Sequence, residues 1–158
     1  MPELPGTTAD SPGRHLADRR AAPRGGRRPE DRDGFFPRVM VVDVDEASRR
    51  MQAEYLRLRK FEVLAVADGT DALLSLDSFR PHAVITDLVV GSVDAYAVVA
   101  SAASRGIPSL IFAGAAPFDA RGTETSVPVV QRPAPLADVI ERLRDIFRIH
   151  PPHIVHAA

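Results

Sequence analysis

The sequence predicts an α/β domain built on a doubly wound, five-stranded parallel sheet flanked by helices. Three observations carry the prediction. Five short apolar runs rich in β-branched residues recur along the chain, at 38–43, 61–68, 83–86, 107–114 and 127–131. Between most of them lie stretches with apolar residues at helical spacing, which is the alternation that right-handed parallel crossovers require. Two of the runs end in a carboxylate, Asp43 and Asp87, where ligands collect in open parallel sheets.

At 158 residues the chain accommodates one domain and no second full one. It has no cysteine, so disulfides, thiolate nucleophiles and cysteine-ligated zinc are excluded. The formal net charge of −1 argues against binding of polyanions by the whole molecule. Lys60 is the sole lysine, which leaves one candidate for any lysine-dependent chemistry. No apolar run is long enough to span a bilayer, and the amino terminus lacks a basic-then-apolar signal, so a cytoplasmic protein without membrane association is expected.

Residues 1–36 are rich in Pro, Gly, Arg and Asp and have almost no apolar periodicity, so they are expected to be a disordered extension. Its arginines (Arg19, Arg20, Arg24, Arg27, Arg28) are diluted by Asp18, Glu30, Asp31 and Asp33, the pattern of a solvated tail. The domain is expected over residues 37–149, with 150–158 a loose tail after Pro151 and Pro152. After the first strand, RVMVVD, a helix is expected over Ala47–Lys60 with Met51, Tyr55 and Leu58 on its inner face and Asp45 or Glu46 as its N-cap. FEVLAVAD is the second strand; Thr70–Phe79 is a helix with Ala72, Leu73, Leu76 and Phe79 on one face. The third strand ends at Asp87, and a helix is expected over Val93–Arg105, stopped by Gly106. IPSLIFAG is the fourth strand. Ala115–Ser126, with Pro117 and Gly122, reads as a loop or a single turn, so the fourth helix of the alternation is short or degenerate. VPVVQ is the fifth strand, and Leu136–Ile149 is the last helix, with Leu136, Val139, Ile140, Leu143 and Ile146 facing inward.

Taken together, VVDVDEASRR, DGTDALLSL, PHAVITDLVVGSVDAY, IPSLIFAG and VVQRPAPLADVIERL resemble the response-regulator receiver domain of bacterial two-component signalling, over roughly residues 38–148. The resemblance implies the flavodoxin-like strand order 2-1-3-4-5 with the site at the carboxyl end of the sheet. It implies that Asp87 is the phosphoacceptor, taking a phosphoryl group from the phosphohistidine of a sensor histidine kinase. It also implies a divalent cation, Mg2+, which neutralises charge as carboxylate and phosphoryl group approach. The ligands would come from Asp43, the acid beside it, Asp87 and the backbone carbonyl of Val89. Arg132 stands at the family's lysine position, and Pro133 at its cis-proline.

Several family positions are lost. Val44 replaces the second acid, and an isopropyl group cannot ligate a hard cation. Asp45, one position on, reads either as a helix N-cap or as a weak member of the acidic cluster. Ala113 replaces the hydroxyl residue that would donate to the phosphoryl group, and Val129 replaces the aromatic switch. Arg132 keeps the positive charge without the compact ammonium geometry, and could pair with Asp87. These departures count against Mg2+ binding. They favour a phosphorylation-independent, non-enzymatic signalling module that works by protein–protein docking, with a fully phosphorylatable receiver as the alternative.

A different class is also open: Asp43-x-Asp45 after an apolar strand is what the first motif of haloacid-dehalogenase-like phosphatases looks like, with Asp43 as nucleophile and Asp45 as general acid. It lacks a suitable lysine and a later acidic pair. No glycine-rich phosphate loop follows any strand, and His82, His150, His153 and His156 have no metal-ligand spacing. With few residues after the last helix, no DNA-binding output domain is expected in this sequence. Asp138, Glu141, Arg142, Arg144 and Asp145 give that helix a mixed charge, compatible with a homodimer face or with solvent.

Overall fold

The computed structural model describes residues 35–91, 93–114 and 127–152. The expected disordered extension therefore lies outside the described residues except for 35 and 36, the expected loose tail except for 150–152, and the expected loop at 115–126 entirely.

Strand β1 (Arg38–Val42) shows why a wholly apolar run is needed here. Successive side chains of a strand point to opposite faces of the sheet, and both faces are covered. Val39 and Val41 join a core cluster with Leu56, Leu143 and Phe147, whereas Met40 and Val42 join a second one with Leu76, Val98 and Ala102. The sheet thus separates two apolar layers. Strand β2 (Glu62–Val66) pairs in parallel with β1. Strand β3 (Ala83–Thr86) lies on the other side of β1, and all four of its residues are buried.

Helix α1 (Glu46–Leu58) is capped by Asp45, whose carboxylate accepts the Ser48 N–H at 2.6 Å. Its inner face differs from the expected one. Met51 and Leu58 are 56% and 78% exposed, and the residues packed inward are Gln52, Ala53 and Leu56, with Tyr55 partly buried. The phase is set by a polar contact, described below, that an apolar count does not register. Helix α2 (Gly69–Phe79) is capped by Asp68 and closed by Arg80 in the left-handed region at φ 50°.

After β3 comes a feature the helical spacing concealed. Val89–Val90 (β4) and Val93–Asp94 (β5) form a two-stranded antiparallel hairpin, with Gly91 at φ 81° supplying the turn. Helix α3 (Ala95–Ala103) begins only after it, with Asp94 as N-cap, which corrects the expected start at Val93. Val90 is fully buried and Val93 packs against the same core, so these valines serve the hairpin rather than a helix face.

Strand β6 (Ser109–Ala113) pairs with β3, and β7 (Val129–Gln131) pairs with β6. All pairings in the main sheet are parallel, and its order is β2-β1-β3-β6-β7. Counting only the five strands of that sheet, this is the predicted flavodoxin-like 2-1-3-4-5. Helix α4 (Leu136–Ile149) buries Val139, Ile140, Leu143, Ile146 and Phe147 against the layer that also receives α1. Among the described residues no helix is long and apolar enough to cross a membrane.

Candidate functional site at the carboxyl end of the sheet

The strand order brings the ends of β1, β3, β6 and β7 to one edge of the sheet. Asp43 follows β1, Asp87 follows β3, Ala113 ends β6, and Arg132 follows β7. Asp43 and Asp87 are both within reach of the Arg132 guanidinium.

Asp43 is 1% exposed, so its charge requires partners inside the protein. It has four. Oδ1 accepts the Asp45 N–H at 2.9 Å; Oδ2 accepts from Ser48 Oγ at 2.7 Å, Gln52 Nε2 at 2.8 Å and Arg132 Nη2 at 2.9 Å. Its backbone carbonyl accepts Arg49 Nη1 at 2.8 Å. Ser48 and Gln52 lie one turn apart on α1 and are joined by a further bond of 3.1 Å. This is the contact that rotates Gln52, 2% exposed, into the interior in place of Met51.

Asp87 is held more loosely. Its Oδ1 accepts the Leu88 N–H at 2.7 Å and the Gly114 N–H at 3.4 Å, and its own carbonyl accepts Thr86 Oγ1 at 2.9 Å. Oδ2 stands 4.0 Å from Arg132 Nη1. The side chain retains 18% exposure, against 1% for Asp43. Pairing of Arg132 with Asp87 is therefore secondary: the arginine makes its hydrogen bond to Asp43.

The arginine is held from two directions: its guanidinium carbon lies 4.2 Å from the centre of the Phe112 ring, and its backbone N–H donates to the Ala113 carbonyl at 2.8 Å. Its peptide bond to Pro133 is cis. Arg132 Nε is buried and finds no hydrogen-bond partner among the described residues.

The remaining sequence-predicted positions are placed as follows. Val44 is 47% exposed at the mouth of the site. Asp45 is an exposed cap that spends one carboxylate oxygen on the Ser48 N–H, and only its N–H reaches Asp43. Val89 opens the hairpin opposite Asp94. Ala113 is fully buried and carries no donor, and Val129 opens β7 opposite Ile111. A cation held here would need free lone pairs on Asp43 and a second hard ligand beside it. Asp43 Oδ2 already accepts three donors, Val44 offers none, and the described residues contain no group of three or more His, Asp or Glu able to hold a metal. The residues present do not suit a divalent ion.

Reasoning from sequence missed Ser48, Gln52 and Phe112. The available signal was the polar pair at i and i+4 in the first turns of α1, immediately after an acid that ends a buried strand.

Comparison with known proteins sets this geometry among signalling modules. No family model matches the chain. The transcriptional regulatory protein PrrA of Mycobacterium tuberculosis is 31% identical over 117 residues, covering 71% of this chain and 50% of that protein. The regulatory protein VirG of Agrobacterium tumefaciens is 31% identical over 123 residues, covering 72% and 44%. The chain thus spans about half the length of the curated relatives it matches. Among solved structures, a response regulator receiver protein from Sinorhizobium medicae superposes with a TM-score of 0.66 at 19% identity, over 73% of this chain and 97% of that one. The receiver domain of the hybrid histidine kinase CckA gives 0.58 at 25% identity, over 69% and 97%.

Proposed function

We propose that the chain, a response-regulator receiver domain by its relatives and its fold, serves phosphorelay signalling as a docking module, without metal-dependent phosphorylation. Asp87 occupies the phosphoacceptor position. The observation that carries the reading is the state of Asp43: a carboxylate at the metal-ligand position that is buried and already accepts from Ser48, Gln52 and Arg132. A phosphoryl dianion approaching Asp87 would meet one guanidinium shared with a second carboxylate, where productive phosphoryl transfer relies on concentrated positive charge.

The other lost positions support the same reading. Ala113 supplies no hydroxyl to a phosphoryl oxygen, and Val129 has no ring to change rotamer in response. The module spans residues 37–149; its partner is a sensor histidine kinase or another signalling protein, met through surfaces that keep one conformation. A homodimer through α4 is a second arrangement open to it.

One observation favours phosphorylation: among the described residues Asp87 Oδ2 has no partner nearer than its 4.0 Å ion pair, and the side chain is partly open to solvent. The deciding experiment treats the protein with acetyl phosphate and magnesium, then measures intact mass beside an Asp87→Ala control. The expected result is no adduct. An acid-stable gain of one phosphoryl group that disappears in the control would overturn the docking reading.

A further inference from the structure

We propose that Arg132 is the resident cation of this pocket, its guanidinium serving both Asp43 and Asp87, the two carboxylates that the receiver resemblance makes cation ligands. The inference rests on the receiver reading and deepens it by naming what neutralises the site. Two carboxylates converge at one sheet edge, and leaving both charged without a counter-ion in a largely dry crevice is costly. Arg132 answers that need with a planar fork. One terminal nitrogen, Nη2, lies 2.9 Å from Asp43, and the other, Nη1, lies 4.0 Å from Asp87. A lysine ammonium is a single point and cannot serve two carboxylates through separate nitrogens in this way.

The arginine's position is built into the fold. Phe112 supports the guanidinium from one side, and the backbone bond from Arg132 N–H to the Ala113 carbonyl sets where the side chain starts. Ser48 and Gln52 complete the Asp43 shell from α1, so the oxygen facing the arginine has no spare lone pair. Arginine and metal therefore compete for this oxygen. Val44 is consistent with this: once the arginine holds Asp43, a second acid beside it would add an unneutralised charge.

The consequence is that restoring the missing acid alone does not restore a metal site. Mn2+ serves as a paramagnetic probe for the magnesium class, titrated into the 158-residue chain and followed by electron paramagnetic resonance of the free ion. Wild type and Val44→Asp are expected to show no saturable binding. Val44→Asp combined with Arg132→Ala is expected to bind at least about tenfold more tightly than Val44→Asp alone, the scale on which groups around a ligand alter metal affinity. Val44→Asp with Gln52→Ala serves as the control for simply thinning the donors around Asp43. If Arg132→Ala does not fold, Val44→Asp with Arg132→Lys carries the same comparison, since lysine retains the charge without the fork.

Three results overturn the proposal: Val44→Asp alone binding as tightly as the arginine double variant, the Gln52 double variant doing so, or no binding in either folded arginine double variant. No arm involves a phosphoryl donor. A phosphoryl adduct on the wild-type protein would sink the docking reading and leave the Mn2+ result standing, and the reverse holds as well.

Discussion

Arg132 donates to Asp43 at 2.9 Å but comes no nearer than 4.0 Å to Asp87, so one guanidinium serves two carboxylates unequally. Breaking a buried pair from one side strands the other charge, at about 3–5 kcal/mol. Asp43 keeps its bonds from Ser48, Gln52 and the Asp45 N–H, so Arg132→Met should fall at the low end, about 3 kcal/mol. Asp87→Asn should cost less than about 1 kcal/mol, since its ion pair is long and partly solvated. Urea midpoints of the two variants check the order; equal losses would mean that the arginine is evenly shared.

Gln52 tests the shell from the helix side. Its Nε2 donates to a buried carboxylate, an interaction of about 1.5–3 kcal/mol, yet its own Oε1 is buried without a partner among the described residues and costs part of that back. Gln52→Leu, which removes both terms and keeps the volume, should therefore destabilise by only about 1 kcal/mol. Gln52→Ala adds a cavity and should cost about 2 kcal/mol or more. Chemical denaturation of the two variants reads the difference directly.

The hairpin after Asp87 is seated on the first residue of α2. A Cβ at Gly69 would lie 2.8 Å from Val93 Cβ, 2.9 Å from Val93 Cγ1 and 3.1 Å from Val90 Cγ2. Gly69→Ala should cost about 1–3 kcal/mol as the hairpin is pushed outward. Adding Val93→Ala removes the nearest Cγ and should recover part of the loss, a coupling that a double-mutant cycle by thermal melting measures.

Asp77 and Arg105 form a bidentate pair on the surface, at 2.7 and 3.0 Å. The hydrogen bond from Arg105 holds the Asp77 carboxyl below its ordinary value, against a smaller opposing effect of burial. A carboxylate depressed in the folded state contributes stability above the unfolded value of about 3.9 and loses it as pH falls through the folded one. Asp77→Asn should thus be slightly less stable than wild type at neutral pH, and the two should converge in acid below about pH 4. Melting curves across that range, repeated in high salt where the neutral-pH gap should narrow, are the check.

The parts of this molecule that the sequence made legible are those governed by local periodicity. The apolar runs at β1, β3 and β6 are continuous because both faces of the sheet are covered, and the spacing in α4 matches its buried residues. The hairpin at β4 and β5 was hidden because Val93 and the alanines beyond it also satisfy a helical count. The face of α1 was misjudged because Gln52, not Met51, turns inward, and its reason lies on another strand end. Arg132 was visible as a cation near Asp87. Its stronger attachment to Asp43 follows from the depth of each carboxylate, which no local pattern encodes.

Strand β7 is three residues long and, among the described residues, sits at the sheet's edge with β6 as its only strand neighbour. Such a strand is the natural place for a parallel sheet to fray. The Arg132–Asp43 contact skips β3 and β6 and joins positions 89 residues apart in the chain. It acts as a rivet between this edge strand and β1 on the far side of the central strand, crossing three strand spacings, or roughly 14 Å. Loosening it should free the edge before the middle: in Arg132→Met, amide exchange at Val130 and Gln131 should accelerate well ahead of that at Met40 and Ile85.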